Sequence, residues 1–443
     1  MIDNIVYLDD VVGRRMDPHQ FHPERVAIIE RIKKQSWCKL KDVIKNVKTT
    51  TSSVPMGETY IGLENIESNT GIYTPSDIEA TSSAAKFKKG DILFPKLRPN
   101  LNKVHLAQFD GYCSTEFMVF EAKNILTEFL AIILRSNIVV AQTKHLMTGN
   151  THPRLQLEDI ANIFVPCPNI EKQKEIILIY QNAQKARLSK IDEAKRLLNS
   201  IDDYILDALQ IDGGGGSGKG NGFRVSISDV IGSRLDVSYY KDKFEMASSK
   251  YDNTQLSNIV DIDPKISFIG KNADDVISFI PMECIDEISG EIINRREMTI
   301  GKSKGYTKFE ENDLLWAKIT PCMQNGKSAI ARGLIKGVGC GSTEFYVLRP
   351  KNSNKVLIDY VYLILRHHDI LLAAQTSFGG SAGQQRVPKQ YLKSITIPIP
   401  DISVQKEIVN AVYSIKAKAK QLQEKGNLLM VEAKLKIENI ILG

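Results

Sequence analysis

VPCPNIEKQKEI, residues 165–176, returns 232 positions later as IPIPDISVQKEI, residues 397–408. Each copy is a short apolar segment ended by Pro-x-Pro and followed by a long run with helical spacing. Proline removes a backbone donor and disfavours helix in the residue before it, so a strand stops here and a helix starts. Working outward, KFKKGDILFPKLRP (86–99) returns as KFEENDLLWAKITP (308–321), an offset of 222. STEF stands at 114–117 and 342–345, ILR at 133–135 and 364–366, AQT at 141–143 and 374–376. Arg15-Met16-Asp17 with Phe21 returns as Arg234-Leu235-Asp236 with Tyr240, an offset of 219. The offset drifts by only 13 over the whole unit, as expected for loop insertions in a duplicated fold.

Each repeat opens with short apolar strands (DILF and FMVF; DLLW and FYVL) separated by Gly, Pro, Asn and Ser turns, with a few helical stretches. An α/β (α+β) domain is predicted, present twice. Each is followed by one long helix. In 171–211 the apolar seam runs Ile177, Tyr180, Ile191, Ala194, Leu198, Ile201, Ile205, Ala208, interrupted by Gln184 and Arg187. In 403–442 it runs Ile408, Val412, Ile415, Ala419, Leu422, Leu429, Ala433, Ile440, with Gly426 at one seam position. Spacings of three and four describe a coiled-coil seam that neither helix buries alone, so the two are predicted to pack on each other. The boundaries expected are 1–168 and 223–400 for the globular domains, 169–212 and 401–443 for the helices, and 213–222 for the connection.

That connection, within IDGGGGSGKGNGF (211–223), matches the first seven positions of a phosphate-binding loop from Gly213 to Lys219. Such a loop must leave a strand, enter a helix and carry Ser or Thr after the Lys. Here a long helix precedes it and Gly220 follows Lys219, so the six glycines among 213–220 read as a flexible tether. GGGGS also resembles an engineered linker.

The 443 residues carry 42% hydrophobic and 25% charged side chains, ordinary for globular protein, and a net charge of +6 that permits a polyanionic partner. FLAIIL (129–134) and YVYLIL (360–365) are far shorter than the roughly 18 residues of a membrane span. The start, MIDNIVYLDD, lacks the basic region of a signal peptide. Cysteines at 38, 113, 167, 284, 322 and 340 include no C-x-x-C and suit a reducing cytoplasm better than a disulfide or zinc scaffold. His19-x-x-His22 has no cysteine close by and reads as polar surface rather than a metal site.

No catalytic motif stands in either copy. Asp110, Glu121 and Lys123 have the flavour of a nuclease set, but the second repeat has Val338, Arg349 and Lys351 there, so both carboxylates are gone. There is no G-x-S-x-G, H-E-x-x-H, dinucleotide fingerprint or methyltransferase N/D-P-P-Y/F tetrapeptide. Both copies instead retain a basic loop after a strand. Residues 86–103 hold six Lys or Arg against Asp91; residues 302–327 hold five Lys against Glu310, Glu311 and Asp313. Asn and Gln can read adenine, while Arg and Lys read guanine or hold phosphate. The candidates are Lys96, Arg98, Asn100, Asn102 and Lys103 in one copy, and Lys318, Thr320, Gln324, Asn325 and Lys327 in the other. Ser114, Thr115, Ser342 and Thr343 of the STEF turns join them. GNTHPRL (149–155) and GGSAGQQRV (379–387) add Thr151, His152, Arg154, Gln384, Gln385 and Arg386. Arg154 and Arg386 align, and each either faces DNA or pins its own loop to a neighbouring helix.

Repeated globular part, Pro-x-Pro, QKEI helix and the G…R-L/V turn together resemble the specificity (S) subunit of type I restriction–modification enzymes, over both repeats. The resemblance implies that each globular part is a target recognition domain reading one half of a bipartite double-stranded DNA site. It implies an antiparallel helical spacer on which two methyltransferase (M) subunits dock, with restriction (R) subunits joining for cleavage. No cofactor is implied for this chain; S-adenosylmethionine, ATP and Mg²⁺ belong to the partners. A cytoplasmic, antiviral role follows. Forty helical residues span about 60 Å, against about 34 Å for one DNA turn, so such a spacer can hold two readers apart. The alternatives are a stand-alone DNA-binding protein such as a repressor, and the specificity module of a nuclease–methyltransferase.

Overall fold

The computed structural model describes residues 21–76, 83–148, 151–211, 246–268, 270, 272–378 and 385–443. The glycine tether, His19, Gln384 and the Arg-x-Asp motifs at 15–17 and 234–236 lie outside them. The chain divides into two units, residues 1–191 with 423–443, and residues 192–422.

In the first unit the order is a helix (Pro23–Lys33), β1 (Trp37–Lys39), β2 (Ile44–Val47), β3 (Thr50–Thr51), β4 (Tyr60–Ile61), β5 (Ala84–Phe87), β6 (Ile92–Pro95), β7 (His105–Leu106), β8 (Gly111–Ser114) and β9 (Phe117–Ala122). Helices Thr127–Leu134 and Asn137–Thr143, β10 (Phe164–Pro166) and the first long helix (Ile170–Ala208) follow. One antiparallel sheet runs β2-β9-β6-β7; a second runs β3-β5-β8-β4, its β4–β8 pair parallel; β1 pairs β10. All four residues of β6 are buried, as befits a strand covered on both faces. The FLAIIL run is buried at every position from Phe129 to Leu134, so its apolarity belongs to a core helix.

The second unit repeats this with β11 (Asn253–Gln255), β12 (Val260–Ile262), β13 (Val276–Ile280), β14 (Arg296–Thr299), β15 (Thr307–Glu310), β16 (Leu314–Ala317), β17 (Ser328–Ile330), β18 (Val338–Gly341) and β19 (Phe345–Pro350). Helices Ile358–Leu365 and His368–Thr376, β20 (Thr396–Pro398) and the second long helix (Ile402–Leu442) complete it. The sheet orders are β12-β19-β16-β17 and β14-β13-β18-β15, with β11 on β20. The duplication therefore extends to strand pairing. Among the described residues it departs at an edge: β3 borders β5 in the first unit, whereas β14 borders β13 in the second.

The two long helices pack together inside both units, and they run antiparallel. In the first unit Ile176 and Tyr180 share a core with Met430, Ile437 and Ile441. In the second, Ile205 and Leu209 share one with Ile408, Val409 and Val412. Of the expected seam, Tyr180, Ala194, Ile205, Ile408, Val412, Ala419 and Ala433 are buried; Ile177, Ile191, Leu198, Ile201, Ala208, Ile415, Leu422, Leu429 and Ile440 are half-buried. Ile176, Leu209, Met430, Ile437 and Ile441 are buried beside that seam, because each helix also packs on its own globular part and so needs a wider stripe than a two-helix seam.

One pairing was not foreseen. Cys38 and Cys167, 129 residues apart in sequence, are disulfide-bonded. The β1–β10 pairing sets Cys38 opposite Val165 and brings Cys167 alongside, a proximity that sequence spacing does not reveal. Cys113, Cys284, Cys322 and Cys340 are free.

Candidate nucleic-acid interface

In each unit three segments meet where the central strand of the first sheet ends. Pro95 pairs with Phe117, and one residue further the Lys96 N–H donates to the Glu116 carbonyl (2.8 Å). The Lys96 carbonyl accepts from the Leu155 N–H (3.0 Å), and the Arg98 N–H donates to the Pro153 carbonyl (2.9 Å). The second unit repeats each bond. Lys318 N–H donates to the Glu344 carbonyl (2.9 Å), Val387 N–H to the Lys318 carbonyl (2.9 Å), and Thr320 N–H to the Gln385 carbonyl (3.0 Å). The basic loop, the STEF turn and the arginine turn are thus one stitched cluster, made twice.

A bidentate ion pair closes each cluster. Arg154 donates from Nε and Nη2 to the two Glu116 carboxylate oxygens at 3.0 and 2.8 Å. Arg386 does the same to Glu344, both bonds 2.8 Å. The guanidinium fork matches a carboxylate, and the arginine hydrogen bonds hold both glutamate carboxyls below their ordinary range. Ser114 Oγ and Ser342 Oγ accept from the glutamate N–H groups, each at 3.2 Å, shaping the STEF turns. The arginines therefore pin their loops, to a glutamate of the STEF turn.

The remaining candidates separate by exposure. Arg98, Asn100, Thr151 and His152 are exposed in the first unit, and Gln324, Asn325 and Thr343 in the second. Lys96, Lys103, Thr115, Lys318, Thr320, Lys327 and Gln385 are half-buried. Lys318 lies over the Tyr346 ring, 5.1 Å from its centre. Asn102 is buried: its amide donates to the Arg135 carbonyl (2.7 Å), and its φ of +53° is the left-handed conformation Asn tolerates. Lys103 spends its ammonium on the Leu63 carbonyl (2.9 Å). Asn325 donates to Glu287 (3.1 Å). Asn102 and Lys103 hold the fold beneath the loop, whereas Arg98, Asn100 and Gln324 stand on its outside.

Sequence reasoning missed what anchors each cluster to its helix. The ILR arginines bind a glycine turn in each unit: Arg135 donates to the Thr70 carbonyl (2.7 Å) and Arg366 to the Glu287 carbonyl (2.8 Å). Gly71 and Gly290, both at φ +70°, close these turns. A Cβ would stand 2.7 Å from the Arg135 guanidinium in one and 1.9 Å from the Tyr362 hydroxyl in the other. The QKEI glutamines act similarly. Gln173 accepts from the Leu126 N–H (3.0 Å) and Gln405 from the Leu357 N–H (2.9 Å), fixing each long helix to its globular part. Both motifs recur in the sequence, and that recurrence was the available signal.

Each unit thus carries polar loops at the same strand end of its sheets, packed on segments of the two antiparallel helices. A family model, the type I restriction modification DNA specificity domain, matches residues 34–195 and 250–428. The chain belongs to that family. It is 34% identical over 194 residues to the type I restriction enzyme EcoEI specificity subunit of Escherichia coli, covering 43% of this chain and 32% of that protein. To the EcoAI specificity subunit of the same organism it is 33% identical over 214 residues, covering 47% and 35%. The matched part thus spans about a third of the length of these curated relatives. Among solved structures, the HsdS subunit from Thermoanaerobacter tengcongensis is 17% identical, with 91% of this chain and 95% of that chain covered at a TM-score of 0.36. A chain from a study of type I R-M assembly is 18% identical, with coverage of 91% and 96% and a TM-score of 0.47. Among the described residues no helix is long and apolar enough to cross a membrane.

Proposed function

We propose that this chain is the non-catalytic DNA-recognition subunit of a cytoplasmic type I restriction–modification complex. The observation that carries this reading is the doubled cluster: the same three segments, the same backbone bonds and the same Arg–Glu fork in both units. A reader of a bipartite site needs one such surface per half-site. In this reading residues 1–168 and 223–400 are the target recognition domains, 169–212 and 401–443 the spacer helices, and 213–222 a tether. Arg98, Asn100, Thr151 and His152 face one half-site; Gln324, Asn325 and Thr343 face the other, with Lys96 and Lys318 available to phosphate. Arg154 and Arg386 hold these loops in shape rather than reading bases, because their forks are already filled.

Two methyltransferase subunits dock on the helices, and restriction subunits join through them. Leu178, Leu188, Leu428, Val431 and Leu435 are exposed on the helix segments of the first unit and offer apolar surface for such a partner. S-adenosylmethionine, ATP and Mg²⁺ are used by the partner subunits. The test is gel filtration and DNA binding with and without a co-expressed type I methyltransferase subunit. Site-specific binding that requires the co-expressed methyltransferase supports the reading. Tight specific binding by the single chain makes it a repressor-like protein, and methyl transfer by the single chain overturns the non-catalytic assignment.

A further inference from the structure

The N-terminal helix Pro23–Lys33 starts at His22 and carries Glu24 in its first turn. It packs against the helix Asn137–Thr143, and the Arg25 Nε donates to the Gln142 carbonyl (3.2 Å). Lys144 and His145 follow directly after that second helix. His22 and His145 stack, with ring centres 3.5 Å apart and planes 14° from parallel. His145 Nε2 lies 3.2 Å from the Glu24 carboxylate. One donor atom from each of His22, Glu24 and His145 lies within 4.8 Å of the other two. His22 Nδ1 is buried and has no hydrogen-bond partner among the described residues.

We propose that His22, Glu24 and His145 bind a divalent transition-metal ion, with zinc the best match. Two imidazoles and one carboxylate form a borderline-soft N₂O set that suits zinc and its neighbours rather than magnesium or calcium. Zinc bonds nitrogen and oxygen at about 2.0–2.2 Å, and an imidazole lone pair lies in its ring plane, so the two rings must unstack and turn toward each other to share one ion. The half-exposed position leaves the remaining coordination to water. The competing occupant of the carboxylate is Lys144, whose ammonium lies 2.6 Å from Glu24. That ammonium must move aside, which gives the site a signature no purely structural cluster has. The ion would staple the start of the N-terminal helix to the segment leading into the Arg154 turn. This site is independent of the DNA-reading proposal.

The experiment titrates Zn²⁺ into the untagged full chain against a colorimetric chelator and follows Co²⁺ absorption in parallel. Wild type takes up one equivalent more than His22→Ala or His145→Ala, and Glu24→Gln weakens that equivalent. Lys144→Met tightens it about tenfold, by removing the cation that competes for the carboxylate. Added Zn²⁺ also raises the melting temperature of wild type and not of His145→Ala, because a ligand that binds only the folded state stabilises it. Equal uptake by wild type and His145→Ala overturns the proposal. So does a Lys144→Met variant whose affinity is unchanged or weaker.

Discussion

Arg187 and Gly426, one interruption from each apolar seam, lie against each other. A Cβ at Gly426 would stand 3.3 Å from the Arg187 carbonyl oxygen and 3.4 Å from Lys190 Cβ. Arg187 in turn donates to Asn427 (3.1 Å) and to Glu67 (2.8 Å). Two apparent flaws in the seam are one contact: the missing side chain on one helix makes room for the backbone of the other. Gly426→Leu is expected to overpack this crossing and destabilise the chain by about 1–3 kcal/mol. The midpoint of urea unfolding reads this; a wild-type midpoint would mean the helices do not meet there.

Glu116 and Glu344 predict a pH dependence with a definite sign. Both carboxyls titrate below their ordinary range because Arg154 and Arg386 hydrogen-bond to them. A depressed carboxyl stabilises the fold above its unfolded value and loses that contribution as pH falls through the folded value. Stability from the forks is therefore full at neutral pH and lost on acidification below about 4. The double variant Glu116→Gln, Glu344→Gln should show a shallower acid loss than wild type. Curves that superimpose from neutral to acid would remove the forks from the stability of the loops.

The forks also separate positioning from base reading. Glu116→Ala frees Arg154 and should weaken recognition of one half-site as much as Arg154→Ala does, with the other half-site unaffected. If Arg154 instead read a base, Glu116→Ala would leave recognition intact while Arg154→Ala alone cost about 1–3 kcal/mol at one position. Binding of the assembled complex to half-site variants of the DNA distinguishes the two.

Gln173→Leu and Gln405→Leu should each destabilise their own unit by about 1–3 kcal/mol, since the Leu126 or Leu357 N–H loses its acceptor. Hydrogen exchange at those two amides checks it locally. Protection unchanged from wild type would show that the glutamines do not fix the helix starts.

The duplication, the strands and the long helices were legible because burial imposes a period on apolar residues, and the same period printed twice is hard to mistake. The forks were not. Arg154 and Glu116 are 38 residues apart, and a guanidinium on a polar loop has the same composition whether it faces DNA or a carboxylate. Asn102 misled for the same reason: left-handed backbone and a buried amide are invisible in a run of polar letters. The Cys38–Cys167 bond depends on which strands close the domain, which local pattern does not specify. Each of these facts is tertiary. Only the repeat offered a handle, since residues that recur together in both copies, as Glu116 with Arg154 and Glu344 with Arg386 do, are candidates for touching.

If the proposed function holds, two readers are joined by a helical spacer that sets the distance between half-sites. Inserting four helix-forming residues after Leu198, matched by four before Ile415, lengthens both antiparallel partners by about 6 Å, from a rise of about 1.5 Å per residue. Four residues are close to one helical turn, so the seam stays roughly in phase. Base pairs are about 3.4 Å apart, so the unread spacer should grow by one or two base pairs with both half-sites unchanged. Long-read methylation mapping of the complex assembled with its methyltransferase measures this directly. A lengthened spacer is the predicted result; unchanged half-sites at the original spacing would contradict it.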